Sequence, residues 1–314
     1  RYKDLATTSL SDVRAFGDTV YTVGARKIGS TTHFGLFRST NAGLTFDLTN
    51  ETVPLLYRNS MRRTASGDVF GIEGGLFDKP YVFRYDAQAG TLTAASGIPG
   101  GNYLTTGVDL SPTSAQNAVA TFAGFPFTAQ DQTGIAVRST DGGANFTTVT
   151  LPTGTFGLQG TGFINDHEAL VLGDSSVVLR LDVTTGAVTV LGAAAGIPQT
   201  IRNGPGDFTT FSFTKASFAP DGQVGFIVGT FTRRQPNRPD VVDGVILLSR
   251  DGGHTFVRQG IANAPDNGQG FPLILDVQAL ADDFAVLSGS NGLLAARTTN
   301  EQSAVAVCSL TQQP

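Results

Sequence analysis

The chain has 314 residues, a formal net charge of −5, 40% hydrophobic and 15% charged residues, one Cys and no Trp. Ordinary apolar content with a small net charge excludes intrinsic disorder, a lone Cys excludes a disulfide scaffold within the chain, and the acidic balance excludes a basic nucleic-acid binder. No apolar run approaches the ~20 residues with which a helix spans a bilayer.

Glu and Lys occur four times each, whereas Gly occurs 39 times. Surface helices draw heavily on Glu, Lys and Ala, so this composition predicts strands and turns instead. The sequence opens at Arg1 without a charged-then-apolar leader, and the expectation is that its original start lies upstream. Short apolar or alternating runs then follow one another. They include Val20-Tyr21-Thr22-Val23, Ala118-Val119-Ala120-Thr121-Phe122, Ser176-Val177-Val178-Leu179-Arg180-Leu181 and Ala187-Val188-Thr189-Val190-Leu191. Later runs are Gly225-Phe226-Ile227-Val228, Gly244-Val245-Ile246-Leu247-Leu248, Phe284-Ala285-Val286-Leu287 and the terminal Ala304-Val305-Ala306-Val307-Cys308-Ser309-Leu310. Turn residues separate them, as at Ser66-Gly67-Asp68, Pro220-Asp221-Gly222 and Asp251-Gly252-Gly253. Ala193-Ala194-Ala195, held between Gly192 and Gly196, is too short to propagate a helix. Many short strands with regular turns predict an all-β sandwich, barrel or propeller.

Internal repeats favour the propeller. Ser39-Thr40-Asn41-Ala42-Gly43-Leu44-Thr45-Phe46, Ser139-Thr140-Asp141-Gly142-Gly143-Ala144-Asn145-Phe146 and Ser249-Arg250-Asp251-Gly252-Gly253-His254-Thr255-Phe256 match one another at spacings of 100 and 110 residues. Weaker cousins lie between them at residues 84–92 and 180–188, and a degraded one at Arg297-Thr298-Thr299-Asn300-Glu301. Gly97-Ile98-Pro99 and Gly196-Ile197-Pro198 follow the second and fourth markers, so the larger repeat is a pair of units. This rhythm predicts one propeller domain over 1–314 with six four-stranded antiparallel blades, near 9–50, 58–96, 104–152, 158–192, 207–260 and 272–310. Seven blades are the alternative, with one hidden between Leu191 and Leu247.

In each strong marker an Asp or Asn side chain accepts from backbone N–H groups, a Gly supplies the left-handed turn conformation, and a Phe opens the next strand. On these residues (Ser39, Asn41, Gly43, Phe46; Ser139, Asp141, Gly143, Phe146; Ser249, Asp251, Gly253, Phe256) the chain resembles the Asp-box, or BNR-repeat, proteins of the sialidase-like β-propeller superfamily. The resemblance implies a propeller whose Asp boxes are structural turns remote from the catalytic face. It does not extend to the sialidase reaction. The family's enzymes hold a carboxylate with three Arg and attack with a Tyr activated by Glu. Here Arg14 is followed by Ala15-Phe16 instead of Ile-Pro, all six Tyr lie at or before Tyr103, and after Glu168 the only Glu is Glu301. The resemblance therefore points to a non-catalytic member, a class that includes assembly factors and receptor ectodomains.

The candidate ligand-binding residues are Arg26, Phe125, Phe127, Arg233, Arg234, Arg238 and Asp240. The loop Thr232-Arg233-Arg234-Gln235-Pro236-Asn237-Arg238-Pro239-Asp240 is the sharpest feature. Three Arg stiffened by two Pro suit a bidentate clamp on a carboxylate, a phosphate or an acidic partner, while Asp240 and Asp243 offer local ion pairing as the other use of those Arg. Lys27 and His33 in the first unit, and Glu73, Asp78 and Lys79 in the second, lie on comparable loops. The three His show no metal spacing, no cofactor fingerprint is present, and a Ca²⁺ site made of dispersed turn carboxylates and carbonyls stays open because such sets leave no motif. The expected role is an extracytoplasmic (secreted, periplasmic or cell-surface) binding or assembly module for a protein or glycan partner. Two alternatives stand beside it. One is a glycoside hydrolase or lyase using Asp131, Asp174 or Asp240, against which the missing Trp counts. The other is a structural subunit of a surface assembly.

Overall fold

A computed structural model describes residues 8–16, 18–28, 30–50, 62–63, 69–74, 80–86, 88–101, 103–114, 116–124, 134–155, 157–262, 273–282, 284–289, 293–298 and 303–309. The chain divides into two compact units, Arg1–Val149 and Thr150–Pro314. Among the described residues both are built of strands, and the one helical element is the single 3-10 turn Ala193–Ala195 between Gly192 and Gly196.

The first unit holds three four-stranded sheets, each a simple antiparallel meander. They are β1 (Thr8–Phe16), β2 (Thr19–Ile28), β3 (Thr31–Ser39) and β4 (Asp47–Asn50); β5 (Arg62–Arg63), β6 (Val69–Gly74), β7 (Pro80–Asp86) and β8 (Thr91–Ala94); and β9 (Tyr103–Leu110), β10 (Ala118–Gly124), β11 (Gly134–Ser139) and β12 (Thr147–Thr148). All seven residues of β10 are buried, as a central strand with both faces covered requires. Its Ala118, Ala120 and Phe122 pack with Val82, Val108, Leu110, Val137 and Phe146. Tyr21 and Tyr85 meet edge to face at 6.2 Å between ring centres, joining the first sheet to the second.

The second unit holds a fourth meander of β13 (Leu158–Phe163), β14 (Glu168–Gly173), β15 (Val178–Asp182) and β16 (Val188–Val190). A nine-stranded sheet follows. It comprises β17 (Ile201–Gly204), β18 (Asp207–Phe218), β19 (Gly225–Arg234), β20 (Val241–Ser249), β21 (Val257–Ala262), β22 (Ile274–Ala281), β23 (Phe284–Gly289), β24 (Leu293–Thr298) and β25 (Ser303–Ser309). Within it β18–β21 and β22–β25 are two antiparallel meanders, joined where β21 pairs in parallel with β25 through Gly260–Ser303, Ile261–Ala304 and Ala262–Val305. That junction departs from the separate blades expected from sequence. Each meander ends on an edge with unpaired N–H and C=O groups, and here the two edges satisfy one another. Leu170, Leu172, Phe211, Phe213, Ile227, Leu247 and Phe256 form the core between the fourth meander and β18–β20. Phe226, Val228, Ile246, Val277 and Leu287 form the next one. Cys308 lies in β25 as expected; its side chain is outside what is described.

Candidate functional site

The three strong markers are one hydrogen-bonded device built three times. The hydroxyls of Ser39, Ser139 and Ser249 donate to Oδ1 of Asn41, Asp141 and Asp251 at 2.8, 2.7 and 2.8 Å. The same hydroxyls accept the N–H of Gly43, Gly143 and Gly253 at 2.9, 3.1 and 2.9 Å. Oδ1 of Asn41, Asp141 and Asp251 also accepts the N–H of Thr45, Asn145 and Thr255 at 3.0, 2.9 and 2.9 Å. Gly43, Gly143 and Gly253 take φ of +85°, +82° and +76°, a conformation that costs a side-chain-bearing residue energy. Ala42, Gly142 and Gly252 donate to the carbonyls of Asp18, Gln116 and Gln223, tying each marker to the turn between the first two strands of its own meander. The Phe of each marker is buried, directly before β4, β12 or β21. Burial works against the charge on Asp141 and Asp251. The hydrogen bonds from Asn145, Ser139 and Ala144 outweigh it at Asp141, holding that carboxyl below its usual range. Those from Thr255, Ser249 and His254 do the same at Asp251 and bring it to about 2. The polar atoms of these turns are thus engaged with the turns themselves.

The two weaker markers are a different turn. Oδ1 of Asp86 accepts from Gln88 and Ala89, and Oδ1 of Asp182 from Thr184 and Thr185, with Gly90 and Gly186 closing each loop onto the carbonyl of the same Asp. The Gly-Ile-Pro segments dock on the following strong marker. Phe146 N–H donates to the Ser96 carbonyl at 3.0 Å, and Phe256 N–H to the Ala195 carbonyl at 2.9 Å. A Cβ on Gly97 would lie 1.9 Å from the Phe146 carbonyl oxygen, and one on Gly196 2.0 Å from that of Phe256, so only glycine fits there. Ile98 and Ile197 pack in the same cores as Phe146 and Phe256.

The Arg-rich loop sits at the other end of the strands. It joins β19 to β20, whereas the marker at 250–256 joins β20 to β21, and the nine residues of β20 set the two about 30 Å apart. Arg234 donates from Nε to Oδ1 and Oδ2 of Asp240, both at 3.0 Å, and from Nη2 to Oδ2 at 2.6 Å. Its guanidinium carbon lies 5.2 Å from the centre of the Phe208 ring. The hydrogen bond from Arg234 holds Asp240 below the usual carboxylate range and raises Arg234 in turn. Arg238 donates from its backbone to the Gln235 carbonyl at 3.3 Å and from Nη1 to Gln235 Oε1 at 3.4 Å. Arg233 is exposed, paired through its backbone with Thr209 and Val241, and its side chain has no hydrogen-bond or ion-pair partner among the described residues. The loop thus spends one of its three Arg on Asp240 and presents the other two without a carboxylate partner among the described residues.

A second polar group occupies the same end of the second unit. Asp174, just after β14, accepts from Ser212 Oγ at 2.5 Å and from Gln159 Nε2 at 3.0 Å. The next two residues, Ser175 and Ser176, both take positive φ, of 56° and 68°. The Ser176 hydroxyl lies 3.3 Å from that of Thr200, which lies 3.3 Å from that of Thr210. Sequence reasoning named Asp174 but missed its partners. The Gly173-Asp174-Ser175-Ser176 run between two apolar strands is a turn signal that could have singled out Ser176 beside it.

Arg26 lies in β2 opposite His33 of β3, and Lys27 opposite Thr32, beside the β2–β3 turn. Glu73 lies in β6 opposite Tyr81, so Arg26, Lys27, His33 and Glu73 stand within strands that run further toward the turns than expected from sequence, and not on loops. Phe125, Phe127, Asp131, Asp78 and Lys79 lie outside the described residues. Among the described residues no three His, Cys, Asp or Glu side chains gather as a metal-ligand set, and no helix is long and apolar enough to cross a membrane.

No family model and no curated protein matches the chain. Solved structures are similar to it. One is YCF48 bound to D1 peptide, with a TM-score of 0.60 and 14% identity over 93% of this chain and 78% of that one. A second is an ancestral GH74 enzyme, with a TM-score of 0.58 and 16% identity over 93% of this chain but 36% of that one. A third is the alpha-L-arabinofuranosidase Arb93A from Fusarium graminearum in complex with an iminosugar inhibitor, with a TM-score of 0.51 and 11% identity over 93% of this chain and 78% of that one. This chain therefore spans little more than a third of the GH74 enzyme. All three are propeller-type proteins, and at such identities the likeness shows the fold alone, an all-β chain of antiparallel sheets of propeller type.

Proposed function

We propose that this chain is a non-catalytic, extracytoplasmic β-propeller of the Asp-box superfamily, acting as a binding or assembly module for an acidic protein partner. The four four-stranded sheets and the two meanders of the nine-stranded sheet serve as its six blades. The observation that carries the reading is the β19–β20 turn. Arg234 and Asp240 brace it, while among the described residues Arg233 and Arg238 have no carboxylate partner, Arg238 being held only by Gln235, so both can offer N–H groups to carboxylates of a partner. The likeness to YCF48, a protein solved with a bound peptide, supports it. Replacing Arg233, Arg234 and Arg238 together by Ala tests it on binding of a fluorescent glutamate-rich peptide. Loss of binding with an intact fold supports the reading, and unchanged binding ends it.

A glycoside hydrolase or lyase is the second reading, favoured by the Asp174–Gln159–Ser212 group and its two residues of positive φ. A glycan array with a panel of polysaccharide substrates separates the two readings, because only the second predicts turnover that Asp174→Asn abolishes.

A further inference from the structure

We propose that the outer edge of β17 takes up an extended segment of alternating acidic and apolar residues as an added strand. The proposal rests on the binding-module reading and adds how the partner's backbone is held.

β17 is the terminal strand of its sheet, paired on one side only among the described residues, through Ile201–Thr209, Arg202–Phe208 and Gly204–Asp207 of β18. All four of its residues are exposed, Ile201 by 54%. An open edge offers a row of N–H and C=O groups to any extended chain. β17 carries three features that limit such pairing, its length of four residues, the charge of Arg202 and an irregularity of register between Arg202 and Gly204, so only a partner that complements that charge is admitted, along Ile201 and Arg202. The blades expected from sequence, 158–192 and 207–260, leave residues 201–206 between them, so β17 is a strand the sequence reading does not place.

The register says what an added strand would meet. Directly paired residues on neighbouring strands share a face. Ile201, Thr209, Arg233 and Val241 therefore form one row across four strands, with Ile201 and Val241 exposed. Arg202, Phe208 and Arg234 form the next row on the opposite face. Arg234 is neutralised by Asp240, whereas Arg202 and Arg233 are exposed and have no carboxylate partner among the described residues. Asp207, opposite Gly204, puts the one carboxylate of this hairpin at its tip, so the favourable field lies toward Ile201 and Arg202. In a chain of net charge −5 this is a basic edge. A strand laid along it points alternate side chains to the two faces, with acidic ones beside Arg202 and apolar ones beside Ile201. Backbone pairing supplies the affinity, and the alternation supplies the selectivity.

The test uses fluorescein-labelled peptides of about eight residues against the whole chain. One alternates Glu and Val, one is the same peptide methylated on alternate backbone nitrogens, and one alternates Lys and Val. The expected result is binding of the Glu-Val peptide, roughly tenfold or greater loss on methylation, and no binding of the Lys-Val peptide. Arg202→Glu, at an exposed position, is expected to weaken binding roughly fivefold with thermal unfolding unchanged. Equal binding of the methylated and parent peptides, both weakened by Arg233→Ala with Arg238→Ala, overturns strand addition and leaves the Arg-loop reading standing. Failure of every acidic peptide to bind overturns both.

Discussion

Arg180 Nη1 donates to the carbonyl oxygen of Gly252 at 3.0 Å, linking two residues 72 positions apart. The same guanidinium donates from Nε and Nη2 to the two carboxylate oxygens of Glu168, each at 2.8 Å. One half-buried side chain on β15 thus closes an ion pair across to β14 and fastens the marker turn that follows β20. Hydrogen bonding from Arg180 leads the effects that hold Glu168 below its usual range, burial opposes it, and Asn165 and the His254 charge assist.

Arg180→Lys keeps the charge but cannot reach three acceptors with one planar fork. The expected cost is about 1–2 kcal/mol, read as a lower midpoint in urea unfolding at neutral pH. A Glu168→Gln variant, which retains an acceptor and loses the charge, should fall between the parent and Arg180→Lys. Equal stability of all three would show that the fork is incidental.

Gly196 carries a sharper prediction. Its φ of +77° disfavours a side chain, and a Cβ there would stand 2.0 Å from the Phe256 carbonyl oxygen. Gly196→Ala must move backbone on one side of the contact, for an expected loss of about 2–4 kcal/mol. Gly97→Ala should behave alike, with Phe146 as the obstacle. Gly192→Ala is the control, since nothing lies within 4 Å of its Cβ. Chemical denaturation of the three variants orders them directly.

These contacts mark where the sequence is legible and where it stops being so. The strong markers could be read as turns because the hydrogen-bond partners of the Ser139 and Asp141 side chains lie within four residues, and such side-chain-to-backbone bonds follow from local chemistry. The strand-and-turn character of the chain was legible for the same reason. Gly97-Ile98-Pro99 was visible as a repeat but mute as to cause, because its partner Phe146 belongs to a different sheet. The weaker markers looked like decayed copies, and only the geometry shows Asp86 and Asp182 closing a turn of another design. At the candidate site, the Arg of the β19–β20 turn were conspicuous by their density. Which of them Asp240 would neutralise depended on the curl of the turn, and the Ser212–Asp174 contact joins residues 38 apart.

Acid stability should report on the marker turns. Asp251 is lowered from 3.8 to about 2 in the folded chain. A carboxyl depressed in this way contributes stability that is fully present above about pH 4 and lost as the pH falls toward 2. Solvent screening at this partly exposed site reduces the contribution to about 1 kcal/mol. Asn41 performs the same task in the first marker without titrating, its Nδ2 donating to Thr45 Oγ1 at 2.9 Å. Asp251→Asn should therefore remain within about 1 kcal/mol of the parent at pH 7 and lose less stability than the parent on acidification to about pH 3. Urea unfolding at the two pH values checks this, and parallel losses in both proteins would remove Asp251 from the account of acid unfolding.

The first marker also contains a defect that can be repaired. At the position where the other two carry Gly142 and Gly252, with φ of +72° and +67°, it carries Ala42 at φ +55°. A left-handed alanine costs roughly 1–2 kcal/mol, against a penalty of about 0.5–1 kcal/mol for the extra freedom glycine brings to the unfolded chain. Ala42 donates to the Asp18 carbonyl at 2.8 Å, a bond that glycine makes equally well, and its side chain is exposed, so no packing is lost. Ala42→Gly should raise stability by up to about 1 kcal/mol, whereas Gly142→Ala and Gly252→Ala should each lower it by a similar amount. The opposite signs of the same exchange in equivalent turns, measured by urea unfolding, are the result expected, and a loss for Ala42→Gly would show that strain at this position is not what limits the first turn.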